Sequence, residues 1–180
     1  RPLAKAWDLL SLQPKIGLGG GKVPLDARGN PGRANGQITF EGVEFAYPGG
    51  ELILQGVTFA IDAGSTVGIT GTSGGGKSTL LRLLERFYDP SAGRITLDGE
   101  DIRSYNPQWL RRQFALVSQR IQLFSTSLWE NLTLGCVVEP SVAAVEEACR
   151  AAQIWTELIL DAHRLPNGLY TYVTSEIFSG

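Results

Sequence analysis

Gly71-Thr72-Ser73-Gly74-Gly75-Gly76-Lys77-Ser78-Thr79 fits G-x-x-x-x-G-K-[ST], the pattern of a loop that cradles phosphates. The residues before it, Ser65-Thr66-Val67-Gly68-Ile69-Thr70, read as a short buried strand. Those after it, Leu80-Leu81-Arg82-Leu83-Leu84-Glu85-Arg86-Phe87, carry leucines at helical spacing. A polyphosphate needs many donors at close range, and backbone N–H groups supply them where no side chain intervenes. The four glycines meet that need through close approach and positive φ. A helix beginning near Lys77 aims its unpaired N–H groups and positive dipole end at the phosphates. Lys77 is expected to reach the β- and γ-phosphates, and the Ser78 hydroxyl to ligate Mg²⁺. A plain glycine-rich turn would not require a lysine and a hydroxyl at these offsets. The stretch is read as a nucleotide site.

The chain of 180 residues, 43% hydrophobic, has room for one globular domain and a subdomain. No apolar run approaches the roughly 18 residues of a membrane-spanning helix, and the start lacks a secretory signal pattern. A net charge of −2 provides no basic field for nucleic acid. Cys136 and Cys149 have no metal-ligand spacing and are expected to be reduced, buried thiols. The chain contains no methionine and starts at Arg1, so an excerpt from a longer protein is expected.

Outward from the loop, Arg1 to Lys15 places Leu3, Trp7 and Leu10 on one helical face. Residues 16–36, rich in Gly, Pro and Asn, read as a flexible linker. Ile38, Phe40, Val43 and Phe45 alternate as a strand interrupted at Glu41-Gly42. Leu52–Leu54 and Val57–Ile61 give another extended pair, and Ile95–Leu97 a strand ending in the turn Asp98-Gly99. Asn106-Pro107 predicts a capped helix start, with a short helix from Gln108 to Gln113. Phe114–Ser118 reads as a second buried strand. Ser127-Leu128-Trp129-Glu130 has capping-box form. Ser141 caps a helix with Val142, Val145, Cys149 and Ala152 on its apolar face, and a further helix from about Trp155 to Asp161 buries Trp155, Leu158 and Ile159. The first half therefore mixes strands and helices, and the second half is mainly helical.

Phe45-Ala46-Tyr47-Pro48, the loop Gly71–Thr79, Leu84 to Pro90, Leu97-Asp98-Gly99, Asn106 to Arg111, Val117-Ser118-Gln119, Leu123-Phe124-Ser125 and Glu130-Asn131-Leu132 together resemble the nucleotide-binding domain of an ATP-binding cassette (ABC) transporter. The similarity is to exporters in which membrane and nucleotide domains share one chain, and it runs from about Gln37 to Gly168. It implies an α/β fold: a P-loop NTPase core with an antiparallel β subdomain and a helical subdomain, the C-terminal part of the core missing. The domains expected are a linker over 1–36 following an absent membrane domain, a nucleotide-binding core over 37–118, and a hinge-glutamine region with the helical subdomain over 119–180. ATP and Mg²⁺ are the implied ligands. Tyr47 matches the position where the family stacks an aromatic ring on adenine. Gln119 matches the hinge glutamine, which contacts Mg²⁺ and positions the attacking water. The implied partners are a second nucleotide-binding domain, docked head to tail, and the transmembrane domain of the same parent chain. The parent would lie in a membrane, with this domain on the cytoplasmic or matrix-type face.

The resemblance weakens at the end. A Leu-Pro-x-Gly run like Leu165 to Gly168 leads in the family to a Leu-Ser-Gly-Gly-Gln signature. Here Ser179-Gly180 either begins that signature or ends the chain by chance. The catalytic carboxylate is not found: Leu158-Ile159-Leu160-Asp161 has the right form, but Ala162 follows, and the run precedes the signature position. His163, the only histidine, reads as a surface residue. The strand that would carry the missing carboxylate belongs beside Thr66–Thr70, so the 180 residues alone are expected to be unstable and inactive. An exporter's ATP-binding domain coupling ATP binding and hydrolysis to transport is the leading reading. A non-transport cassette ATPase and a nucleotide-sensing module without hydrolysis are the alternatives.

Overall fold

The structure, a computed structural model, describes residues 14–119, 122–159, 161 and 163–174. Its contacts divide the chain into two units, Arg1–Leu116 and Val117–Gly180.

The first unit is built on a four-stranded antiparallel sheet in the order β2-β1-β3-β4, from β1 (Ile38–Ala46), β2 (Leu52–Ile61), β3 (Ala92–Leu97) and β4 (Glu100–Asp101). Alternation dictates the pairing. Phe40 faces Phe59 on one side and Ile95 on the other, and the Phe40 and Phe59 rings stack at 4.5 Å. The interruption expected at Glu41-Gly42 is a bulge, with the register shifting between Phe40 and Val43. β3 passes this bulge so closely that Gly93, at φ +74°, could carry no side chain. A Cβ there would lie 2.3 Å from the Gly42 carbonyl oxygen. The two extended runs expected over 52–61 are one continuous strand, because β1 pairs with both.

Helix α1 (Lys77–Leu84) lays Leu80 and Leu83 onto this sheet's core of Phe40, Val43, Phe45, Leu54, Ile95 and Leu97. Burying such side chains is worth about 1.5–3 kcal/mol each. α1 is shorter than the leucine spacing suggested, since Arg86 takes a positive φ of 54°. Arg111 caps its end, donating from Nε to the Glu85 carbonyl (3.1 Å) and from Nη2 to that of Arg86 (3.0 Å). Arg111 closes α2 (Pro107–Arg111), which starts as expected: Asn106 Oδ1 accepts from the Gln108 and Trp109 N–H groups, and proline occupies the first turn.

Three expectations are corrected in this unit. Ser65–Thr70 forms no strand and joins no ladder among the described residues; it is exposed, Val67 and Ile69 included. Phe114–Ser118 likewise forms no strand; it crosses the unit boundary, with Leu116 exposed. Both have the apolar composition of parallel strands, which need ladder partners and cover on both faces to be buried. Neither finds them among the described residues. The run over 16–36, read as a flexible linker, is tied down instead. Lys22 N–H donates to the Ser104 carbonyl (2.7 Å) and its carbonyl accepts from Asn106 N–H (2.9 Å). Trp109 Nε1 donates to the Gly32 carbonyl (2.9 Å). The Asp98 carboxylate accepts three consecutive N–H groups, those of Asn35, Gly36 and Gln37. Of the helix expected over Arg1 to Lys15, Pro14 and Lys15 are not helical, and the rest lies outside the described residues.

Asp98→Ala is expected to free this strap. Three charge-assisted bonds at a half-exposed site should sum to about 1–3 kcal/mol of stability, and the amides of Asn35, Gly36 and Gln37 should exchange markedly faster with deuterium. Unchanged exchange there would show that the carboxylate does not hold the strap.

The second unit has a two-stranded ladder of β5 (Thr126–Ser127) and β6 (Tyr172–Val173), with α3 (Leu128–Thr133) and α4 (Val142–Ala151). Both helices start as their sequences require. Ser127 and Glu130 form the reciprocal capping box, and Ser141 Oγ accepts from Ala144 N–H (3.2 Å). The core gathers Leu128, Val145, Cys149, Ile159, Leu165, Leu169 and Val173. Of the expected α4 face only Val145 and Cys149 are buried; Val142 and Ala152 are exposed. Trp155–Ile159 is one wide helical turn in which Trp155 is half-buried and Ile159 buried. Cys149 is buried, which pushes its thiol up, whereas Cys136, expected to be buried, is exposed. It lies where the chain leaves α3, on the open lining of a shallow cavity it shares with Ala144 and Ala148 of α4.

Candidate functional site

The glycine loop joins the end of β2 to α1 through the Asp62–Ser65 turn, and Gly71 to Gly75 is exposed along its whole length. Gly74 and Gly76 have φ near +82° and +83°, the left-handed region that glycine enters without cost. Their surroundings differ. Gly74 stands in open space, while a Cβ on Gly76 would lie 2.7 Å from Leu54 Cδ2 and 3.1 Å from Ile53 Cγ2. So Gly76 seats the start of α1 directly on β2.

From that seat the loop is locked internally. Gly75 N–H donates to the Thr72 carbonyl (3.1 Å), and Thr79 and Leu80 N–H both donate to the Gly76 carbonyl (2.9 and 3.1 Å). Lys77 folds back across it, donating from Nζ to the carbonyls of Gly71 (2.8 Å) and Thr72 (2.6 Å). An ammonium has three donors, so one remains for a ligand. The N–H groups of Gly76, Lys77 and Ser78 are the donors that an α-helix leaves unpaired at its start. Ser73 and Ser78 are exposed. The result is a set of donors with one fixed positive charge and accessible hydroxyls on Ser73 and Ser78, and its chemistry suits an oxyanion such as a polyphosphate.

Tyr47, at the end of β1, belongs to the same constellation. Its hydroxyl lies 3.3 Å from Thr79 Oγ1 and accepts from Arg82 Nη1 at 2.8 Å. The rings of Phe45 and Tyr88 stand nearly perpendicular to it, at 5.0 and 5.2 Å. Burial by itself pushes this phenol up, but the bonds to Thr79 and Arg82 and the Arg82 charge outweigh it and bring the group below the usual tyrosine value. The structure thus gathers Tyr47, the loop, Lys77, Ser78 and Thr79 in one unit.

The remaining candidates sit elsewhere. Gln119 is exposed in the second unit. Asp161 is engaged locally, its carboxylate accepting from His163 N–H (3.0 Å) and lying 3.6 Å from Arg164 Nε. That is the setting of a turn-forming aspartate, and His163 is exposed. Ser179 and Gly180 lie outside the described residues. Among the described residues there is no cluster of three metal-ligating His, Cys, Asp or Glu side chains, and no helix is long and apolar enough to cross a membrane. Sequence reasoning missed Arg82. Its spacing of three from Thr79 places both on one face of α1, which was a legible signal, but nothing in the sequence said that Tyr47 lies opposite.

Comparison with known proteins gives a consistent answer. The family model described as "ABC transporter" matches residues 54–176. The chain is 41% identical over 140 residues to ABC transporter B family member 1 of Arabidopsis thaliana, covering 77% of this chain and 10% of that protein. It is 44% identical over 137 residues to the mitochondrial potassium channel ATP-binding subunit of Mus musculus, covering 73% and 18%. Against the ATP-dependent lipid A-core flippase of Alcanivorax borkumensis it is 40% identical over 139 residues, covering 77% and 23%. A solved bacterial Atm1-family ABC exporter with ATP bound superimposes with a TM-score of 0.78 at 34% identity, over 99% of this chain and 30% of that one. The chain thus spans less than a third of the length of each of these proteins.

Proposed function

The chain belongs to the ABC transporter family, and from that premise we propose that it is the nucleotide-binding domain of a membrane exporter. ATP is held by the loop Gly71 to Thr79, and its binding and hydrolysis drive transport by the parent chain. The observation that carries this reading is the seat of Lys77: an ammonium clasped by the loop's own carbonyls, at the start of a helix whose first N–H groups have no intrahelical acceptor.

Each part has a role that follows from its chemistry. The loop N–H groups and Lys77 bind and orient the phosphates, and the Tyr47 ring offers a stacking surface to adenine. The Ser78 hydroxyl would hold Mg²⁺, which supplies charge neutralisation to the phosphoryl group, and the Gln119 side-chain oxygen is the further metal ligand that the family resemblance implies. Gln119 also has an amide donor to orient water, and no charge to desolvate. Asp161, engaged with Arg164 and the following turn, takes no part. A second nucleotide-binding domain and the transmembrane domain of the parent are the proposed partners, and the domain faces the compartment that holds ATP.

Gln119 provides the test that separates binding from turnover. In the full-length protein reconstituted in lipid, Gln119→Ala should lower ATP hydrolysis by about a hundredfold, as losing a preorganised polar group at a reacting centre does. MgATP affinity should change less than about threefold, because the phosphate loop is untouched. Hydrolysis at the unsubstituted rate would remove Gln119 from the site, and no hydrolysis by the unsubstituted protein would defeat the ATPase reading itself.

A further inference from the structure

We propose that Arg82 is the positioning residue of the Tyr47 ring, setting where a nucleoside base stacks relative to the phosphate loop; this rests on the nucleotide-site reading above and goes beyond it. Arg82 is exposed, and among the described residues no carboxylate pairs with it. Its directed hydrogen bond goes instead to a phenol, from Nη1 to the Tyr47 oxygen at 2.8 Å. A guanidinium can only donate, so the phenol's own hydrogen is left for Thr79 Oγ1 at 3.3 Å. The hydroxyl of Tyr47 is therefore held from two sides. The guanidinium carbon is 5.8 Å from the ring centroid, a distance that, with the bond to oxygen, puts the contact at the hydroxyl end.

Thr79 and Arg82 are three residues apart on α1, and Thr79 is 5% exposed. The first residue of that helix is Lys77. Ring and ammonium are thus referred to one rigid element. Without the clasp, Tyr47 would be placed by its strand end and by the exposed turn Pro48 to Gly50. Phe45 and Tyr88 brace the ring from the side but offer the hydroxyl nothing. A base and a triphosphate on one ligand need their two supports at a fixed separation, and α1 supplies it. The depressed phenol is in keeping with a cationic donor on its oxygen.

The test compares two probes on the full-length protein: MgATP, which has a base, and magnesium tripolyphosphate, which has none. Arg82→Leu and Tyr47→Phe each remove one partner of the same bond. Each should weaken MgATP about threefold to tenfold, as one hydrogen bond would, with tripolyphosphate affinity within twofold. The double variant should be no weaker than Tyr47→Phe alone, since losing the hydroxyl already deletes the Arg82 bond along with the one to Thr79. Additive losses, an unchanged ratio in Arg82→Leu, or equal weakening of both probes would each overturn the assignment. Lys77→Ala keeps the two readings apart. It should weaken both probes together. If both bind it normally, the nucleotide site falls and the role of Arg82 with it; if both are lost while the Arg82→Leu ratio is unchanged, only the positioning role falls.

Discussion

Lys77→Ala is expected to weaken MgATP binding by about a hundredfold or more. Two losses combine. The side chain is the one fixed positive charge in the loop, and a charge-assisted hydrogen bond to a phosphate is worth about 1.5–3 kcal/mol. The same ammonium clasps the carbonyls of Gly71 and Thr72, so alanine also frees the loop to turn those carbonyls towards the phosphates. Together about 3–4 kcal/mol is at stake, which corresponds to roughly a hundredfold to a thousandfold. Lys77→Arg should not rescue it, because a planar fork on a longer stem fits neither carbonyl pair nor phosphate in the way a compact ammonium does. Displacement of a fluorescent ATP analogue from the full-length protein reads both variants. Affinity unchanged in Lys77→Ala would mean that the loop is a connecting turn.

The second large effect concerns the fold beneath the site. Gly76→Val should destabilise the first unit by about 3–5 kcal/mol, enough to deplete the folded protein in a chain of ordinary marginal stability. Its φ of +83° is strained for any β-branched residue, at about 1–3 kcal/mol. The new Cβ would also meet Leu54 Cδ2 at 2.7 Å and Ile53 Cγ2 at 3.1 Å, adding an overpacking cost of similar size. Gly74→Ala is the informative comparison. It carries the same strain, at φ +82°, but has nothing within 4 Å of a Cβ. Its cost should stay near 1 kcal/mol, and its main effect should be on ligand approach. Urea denaturation separates the two. Equal costs would show that the seat on β2 contributes nothing.

What the sequence reveals depends on whether the physics is local. The caps at Asn106, Ser127 and Ser141 are decided by one side chain and the next three residues, and all three stand where the sequence puts them. The alternation of Ile38, Phe40, Val43 and Phe45 likewise marks extended chain with an interruption at Glu41-Gly42, and the structure makes it one strand whose register shifts there. Ser65–Thr70 and Phe114–Ser118 fail for the opposite reason. Their apolar runs state a demand for neighbours, and composition cannot show whether neighbours are present. Residues 16–36 mislead because glycine and proline deny a period, not an anchorage. The hydrogen bonds that anchor them join Asp98, Ser104, Asn106 and Trp109, each more than 60 positions from its partner. At the site, the phosphate loop was readable because its chemistry is set by one short motif. The Arg82 clasp was not, because it joins a helix face to a strand end 35 positions distant.

The exposed side chains Val67, Ile69 and Leu116 of the first unit and Val117 of the second (95% exposed) also predict how the 180 residues behave when expressed alone. Apolar segments without ladder partners associate with other chains, so soluble aggregates are expected at micromolar concentration. A monomer with a sharp, reversible thermal transition would show that these segments find cover.

The most direct measurement is a cryo-electron microscopy map of the full-length protein with magnesium and a non-hydrolysable ATP analogue. Phosphate density should lie within hydrogen-bonding distance of the N–H groups of Gly74 to Ser78 and of Lys77 Nζ, with the base against Tyr47. Nucleotide density elsewhere, over a loop left closed on its own carbonyls, would contradict it.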